Sequence, residues 1–332
     1  MSRNVVSHRL RFRAYSGKRL EIPTREYVFE VDGREVILTG QDSERIRDSD
    51  WLIFNIKGFA RSDEAWSFGA RFKHALEFSS ASMRVGINTG IGQSTLSLSP
   101  NVRSELLAQS GMLVRDNIHG LDVFEDAPNI GFITGGARGG NTYINPAAFL
   151  QLTADLFKEI NSLSDSAQNI LLLLNFALLQ RDSVSQIVFA FSAVEMLGQN
   201  LSWSENQKRL IERLTTIAKE SSDYEEGERK EVADAISRSL HRLSLRQGVF
   251  RLLDALNLTH LKIVWDRTYN ERSRLIHGLA PKAGVDYSNL ANKAVTLCGY
   301  ILLRALAEEA SVRHVVDEYA EKFFKMHQDL LD

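Results

Sequence analysis

The stretch G-G-A-R-G-G-N-T-Y-I-N-P, residues 135–146, divides the sequence into two parts with different periodicities. Upstream of it, short alternating or apolar runs bounded by Gly, Asp and Asn predict strands at 27–31, 35–39, 51–56, 83–87 and 111–115. Asp32 and Gly33 between the first two predict a hairpin turn. One helix is expected here, beginning at Ser62 as N-cap with Asp63 and Glu64 in its first turn. Its Ala65, Phe68, Phe72, Ala75 and Leu76 recur at helical spacing. Downstream, Pro146 suits a first helical turn and Pro281 is the one later proline. Helical spacing there predicts helices over 146–162, 166–181, 184–200, 204–220, 224–242, 246–257, 259–277, 287–308 and 311–331.

The expected fold class is therefore α+β: a small mixed domain over 1–145, followed by an all-α bundle over 146–332. The paired glycines at 135–136 and 139–140 predict a linker or long turn. A phosphate loop would need a following Lys-Ser/Thr, which this stretch lacks. The acidic run at 223–231 reads as a solvated helix start.

Bulk properties narrow the function classes. The chain has 332 residues, 44% hydrophobic and 25% charged, as in ordinary globular proteins. Its net charge of -2 gives no global positive field, so any nucleic-acid site must be a local basic patch. The single cysteine, Cys298, excludes a disulfide framework and a multi-thiolate metal centre, and its apolar surroundings read as core. The basic N-terminus carries no apolar signal segment, and the apolar run at 170–179 is shorter than the ~20 residues a bilayer requires. A cytoplasmic protein with no membrane partner is expected. No H-x-x-x-H pair, nucleophile elbow or P-loop occurs, so neither a metal nor a cofactor is expected.

The segment Y-N-E-R-S-R-L-I-H-G, residues 269–278, is the candidate site. Spacing alone is weak, because Arg3 and His8 stand as far apart as Arg272 and His277. The context is richer: Thr259 reads as N-cap of the helix, Gly278 as its C′ residue, and Arg267, Arg272 and Arg274 crowd its last turns. The window from His241 to Lys282 is locally basic, as a phosphate-binding face requires. A histidine moves protons near neutral pH, and an arginine fork stabilises a phosphate as charge builds. Residues five apart on a helix diverge by about 140°, so Arg272 and His277 need a frayed helix end or a second protomer to meet. The alternative is structural: a histidine before a C′ glycine is favoured by the helix dipole, and the arginines pair with Asp266 and Glu271.

At these residues the sequence resembles the HEPN superfamily, in particular the Apea-like group with its R-S-x-x-x-H-G form of the R-x4–6-H motif. The helix Q-I-V-F-A-F-S-A-V-E-M-L-G, 186–198, resembles that family's early helix, with Glu195 on an apolar face. The likeness covers roughly 150–330; the N-terminal part is similar in style to uncharacterised mixed domains and implies no activity. The resemblance implies a helical bundle that pairs two such motifs across a homodimer, forming a metal-independent endoribonuclease that serves in defence or as a toxin with a regulatory or antitoxin partner. His277 would transfer the proton and Arg272 would stabilise the phosphate. Arg274, Arg267, Ser273 and Tyr269 would contact substrate RNA, and Glu195 and Asn270 would support them. Ser273 stands where well-attested nucleases of the superfamily often carry Asn, Asp or His. A non-catalytic module that binds RNA, nucleotide or protein is therefore the alternative.

Overall fold

The computed structural model describes residues 7–90, 92, 100–132, 143–199, 201–241, 243–279 and 286–325. The chain is 60% helical and 17% strand, an α+β protein with its sheet in the first part and helices in the second. The first part contains β1 (His8–Ser16), β2 (Arg19–Leu20), β3 (Glu26–Val31), β4 (Arg34–Gly40), β5 (Trp51–Phe59), α1 (Ser62–Ser82) and β6 (Ile87–Asn88). It continues with α2 (Pro100–Ser110), β7 (Leu113–Arg115), β8 (Gly120–Glu125), β9 (Ile130–Phe132) and β10 (Tyr143–Ile144).

Six strands form one sheet in the order β3-β4-β5-β1-β6, with β8 also paired to β1. Strand β1 is central, antiparallel to both β5 and β8, although the sequence reading placed no strand there. Its R-L-R-F-R-A pattern has period two: Leu10, Phe12 and Ala14 are fully buried, whereas Arg11 and Arg13 face the other side. Helix α1 covers the apolar face, and Phe72 meets Phe12 and Phe54 edge-on at 5.9 and 5.2 Å. The expected hairpin joins β3 to β4, with Val31 opposite Arg34. Asp32 and Gly33 both adopt positive φ, 51° and 72°, as a type I′ turn demands.

Several local expectations change. Ser62 is the first helical residue rather than the N-cap; Arg61 occupies that position in extended conformation with no side-chain cap bond. This part holds two helices, not one, since α2 follows α1. The strand expected at 83–87 reduces to β6, because α1 runs to Ser82 and Met83 closes it. The glycine-rich stretch at 135–140 lies outside the described residues.

From Pro146 onward the described elements are helical: α3 (Pro146–Glu159), α4 (Asp165–Leu179), α5 (Ser183–Gln199), α6 (Glu205–Glu220), α7 (Glu226–His241), α8 (Leu245–Ala255), α9 (Lys262–Ile276), α10 (Tyr287–Glu309) and α11 (Arg313–Lys325). The helix expected over 259–277 is a 3-10 turn, Thr259–Leu261, followed by α9. Thr259 does not cap it; its hydroxyl instead donates to Asp254 Oδ1 at 3.0 Å. Helix α10 is long and apolar enough to cross a membrane, and 78% of that window is buried inside the protein. It is a core helix by that measure.

The apolar core is continuous from the sheet through the helices. Phe68 of α1 meets Phe157 of α3 at 4.5 Å, and Arg71 donates to the carbonyls of Phe157 and Ile160. Asn175 of α4 is fully buried and fully used: its Oδ1 accepts from Ile87 N, and its Nδ2 donates to the Glu77 and Leu171 carbonyls. Such a group would cost a few kcal/mol if left unpaired, so it fixes α4 against α1 and β6. Helix α8 crosses α5 backbone to backbone: a Cβ on Gly248 would lie 2.3 Å from the Gly198 carbonyl oxygen. That close approach positions α5, which carries Glu195.

Candidate active site

Helix α9 ends on a Schellman cap. His277 is its C-cap and Gly278 the C′ residue at φ 65°. Leu279 N donates to the Arg274 carbonyl at 2.9 Å, and Gly278 N to the Leu275 carbonyl at 3.2 Å. The glycine at this position is thus read correctly from sequence, because only a left-handed residue completes those two bonds without strain. The cap leaves His277 exposed at the helix end.

Arg272 takes the opposite direction. Its Nη2 lies 3.2 Å from Glu195 Oε2 on α5, with the side chains only 15% and 9% exposed. The guanidinium also stands 5.6 Å from the Tyr269 ring. Tyr269 packs on Phe191 and Trp265, which contact each other at 4.8 Å. The acid, the arginine and the tyrosine therefore form one half-buried cluster on an aromatic floor.

Electrostatics within the cluster are strongly coupled. Burial raises the Glu195 carboxyl above its usual range, although Arg272 and the Tyr269 hydroxyl pull it down. Burial and then Glu195 raise the Tyr269 phenol, so the hydroxyl keeps its proton and donates to the carboxylate. Cys298 of α10 lies near the same pair; burial raises its thiol well above the ordinary value, and Glu195 adds to that. It is a core thiol with no nucleophilic character. Arg272 Nε is buried without a hydrogen-bond partner.

Of the predicted residues, the structure brings together Arg272, Tyr269 and Glu195. His277, Arg267 and Asn270 are exposed, and Ser273 and Arg274 are half-buried. Among the described residues no hydrogen bond or ion pair joins His277 to Arg272. Within one chain the two side chains diverge, in line with the 140° separation expected for this spacing. The basic window is also partly neutralised: Arg246 pairs with Asp266 and Lys262 with Asp254, each at 2.6 Å. Arg251 donates to Ser202 O and Gln207 Oε1. No group of three or more His, Cys, Asp or Glu side chains that could hold a metal occurs among the described residues.

The chain matches no protein-family model, no curated protein and no solved structure. The imidazole of His277 is exposed at the C-terminal end of α9, while the inward guanidinium of Arg272 ties α9 to α5. Sequence reasoning missed a second concentration of charge, on the polar face of the sheet, where Arg11 and Arg13 are buried. The alternation along β1 was the signal that could have found it.

Proposed function

We propose that this chain is a HEPN-type, Apea-like protein of the cytoplasm. In this reading it acts on RNA as a metal-independent endoribonuclease, through an Arg-x4-His site completed by a second copy of the chain. The observation that carries the reading is the fixed relation of the two motif residues. Arg272 is tied to Glu195 of α5, and His277 stands exposed on the capped end of the same helix. Because the two diverge within one protomer, a homodimer with two α9 ends at one groove supplies the missing half. His277 takes the proton of a ribose 2′-hydroxyl, whose oxygen attacks the adjacent phosphorus. The partner copy's histidine protonates the leaving 5′-oxygen, and positive charge from Arg272 and Arg274 stabilises the phosphorane. Arg267, Ser273, Tyr269 and Asn270 contact or support the bound strand. A role in defence or stress response, under control of a regulatory or antitoxin partner, goes with this activity.

A second reading is favoured by one observation: Arg272 is already neutralised by Glu195 and is mostly buried. In that reading the motif builds a non-catalytic module that binds RNA, nucleotide or protein. Labelled RNA incubated with the protein in EDTA separates the two. The nuclease reading expects cleavage that falls about 100-fold or more in His277→Ala. Equal cleavage by both proteins, or none, defeats it. Salt-dependent binding weakened by Arg274→Ala without turnover then supports the binding module.

A further inference from the structure

The face of the sheet opposite α1 holds two buried arginines from one strand. Arg11 and Arg13 are 2% and 7% exposed, two residues apart on β1 and so on the same face, about 6.6 Å apart along the strand. Arg11 lies under the Phe132 ring at 4.1 Å, and Arg13 over the Trp51 ring at 3.5 Å. These rings hold the guanidiniums in place without supplying an acceptor.

Among the described residues the counter-charges are partial: Asp122 attracts Arg11 and Asp42 attracts Arg13, neither of them in an ion-pair contact. Among the described residues Arg11 makes no hydrogen bond and no ion pair, and its buried Nη1 has no partner. Asp122, its Cα partner on β8, is instead gripped by Arg115 at 2.9 and 3.4 Å. Arg13 donates from Nε to Gln41 Oε1 at 2.6 Å, and among the described residues its terminal nitrogens have no hydrogen-bond acceptor. Asn117 also donates to Gln41 Oε1, and its own buried Oδ1 accepts nothing. Burial lowers both arginines to a pKa of about 10; Arg13 lowers Arg11 further, while Asp122 pulls Arg11 and Asp42 pulls Arg13 back up. Both stay protonated at neutral pH, so the face keeps two cations that the described residues satisfy only in part.

We propose that this face is a binding site for a small phosphate monoester whose organic part carries a hydroxyl. A tetrahedral phosphate presents oxygens in several directions, to two guanidiniums at once, whereas a carboxylate fills one arginine fork. Arg13 receives the phosphate from the solvent side and Arg11 forms the floor. The hydroxyl donates to Asn117 Oδ1, the acceptor an anion alone leaves unused. A polymer backbone cannot reach a guanidinium this deep, so the ligand is a small molecule.

Thermal melts and calorimetric titration of the full chain test the site with inorganic phosphate and ribose 5-phosphate. Sodium acetate and sodium chloride at matched ionic strength serve as controls. Phosphate is expected to raise the melting temperature saturably, and ribose 5-phosphate to bind more tightly than inorganic phosphate. Arg11→Met is expected to fold and to lose at least about tenfold in affinity. Arg13→Gln, whose terminal nitrogens have no hydrogen-bond acceptor among the described residues, provides the same reading if the first variant unfolds. A response to phosphate no greater than to chloride overturns the proposal. So does wild-type affinity in both variants, which would make the arginines purely structural. Neither result bears on RNA cleavage at His277.

Discussion

Arg272 and Arg11 are both arginines withdrawn from water, and they are treated in opposite ways. Arg272 meets a buried carboxylate, Glu195, and a tyrosine that shares that carboxylate. Arg11 meets an aromatic ring and a neighbouring arginine, while the nearest acid is occupied by Arg115. The first arrangement has its counter-charge within one chain and ties two helices together, although Arg272 Nε and Glu195 Oε1 have no hydrogen-bond partner among the described residues. The second is incomplete, and an incomplete buried charge is where an external group has most to gain by binding. Burial alone therefore does not identify a functional arginine; what distinguishes the two is that Arg272 is in ion-pair contact with its carboxylate, whereas Asp122 attracts Arg11 without such a contact.

The contrast can be broken from either side. The largest effect is expected for Glu195→Ala, which leaves Arg272 buried without its partner and costs about 3 kcal/mol in urea unfolding. The double variant Glu195→Leu with Arg272→Met should recover most of that loss, because no charge then remains to be desolvated. If the two single changes simply add, the pair is not coupled. Arg11→Met should have the opposite sign and a smaller size, a gain of about 1 kcal/mol in phosphate-free buffer. A clear loss there would show that stacking under Phe132 outweighs the uncompensated charge, and the contrast between the two sites would collapse.

The smallest effect is in the pH dependence. Burial holds the folded-state pKa of Glu195 above its unfolded value, so its stabilising share is present at low pH and is lost as pH rises through the raised value. Glu195→Gln carries no such proton. The stability of the wild type relative to that variant should therefore decline as pH rises above the ordinary carboxylate range of about 4.5. A relative stability that grows with pH would mean that Arg272 outweighs burial at this carboxyl.

Much of the α9 end was legible because its cause is local. Gly278 after an apolar helical run, with His277 before it, predicts a C-terminal cap, and both Schellman bonds form between residues within five positions of each other. The Asp32 and Gly33 hairpin is legible for the same reason. The start of α9 was not: Thr259 has the composition of an N-cap, but its hydroxyl is drawn to Asp254 of the preceding helix, and a 3-10 turn intervenes. Glu195 stood out as an acid on an apolar face, while its pairing with Arg272 spans 77 residues of sequence and depends on α5 and α9 meeting. Strand β1 escaped because its basic residues resemble an exposed tail when the covering layers are not in view.

Read alone, the sequence determined the change from strand-forming to helix-forming periodicity, the α+β class, the C-terminal cap at Gly278 and the hairpin turn at Asp32 and Gly33, and it supplied the residues of the proposed ribonuclease motif. These follow from backbone preferences and side-chain periods that act over a few residues. The tertiary structure decided which charges are paired: Glu195 reaches Arg272, Arg115 claims Asp122, and among the described residues Arg11 Nη1 has no hydrogen-bond partner. It also joined the sheet and the helices into one core through Phe68, Phe157 and Asn175. Desolvation and pairing depend on what stands within a few ångströms in space, and sequence separation carries no information about that distance.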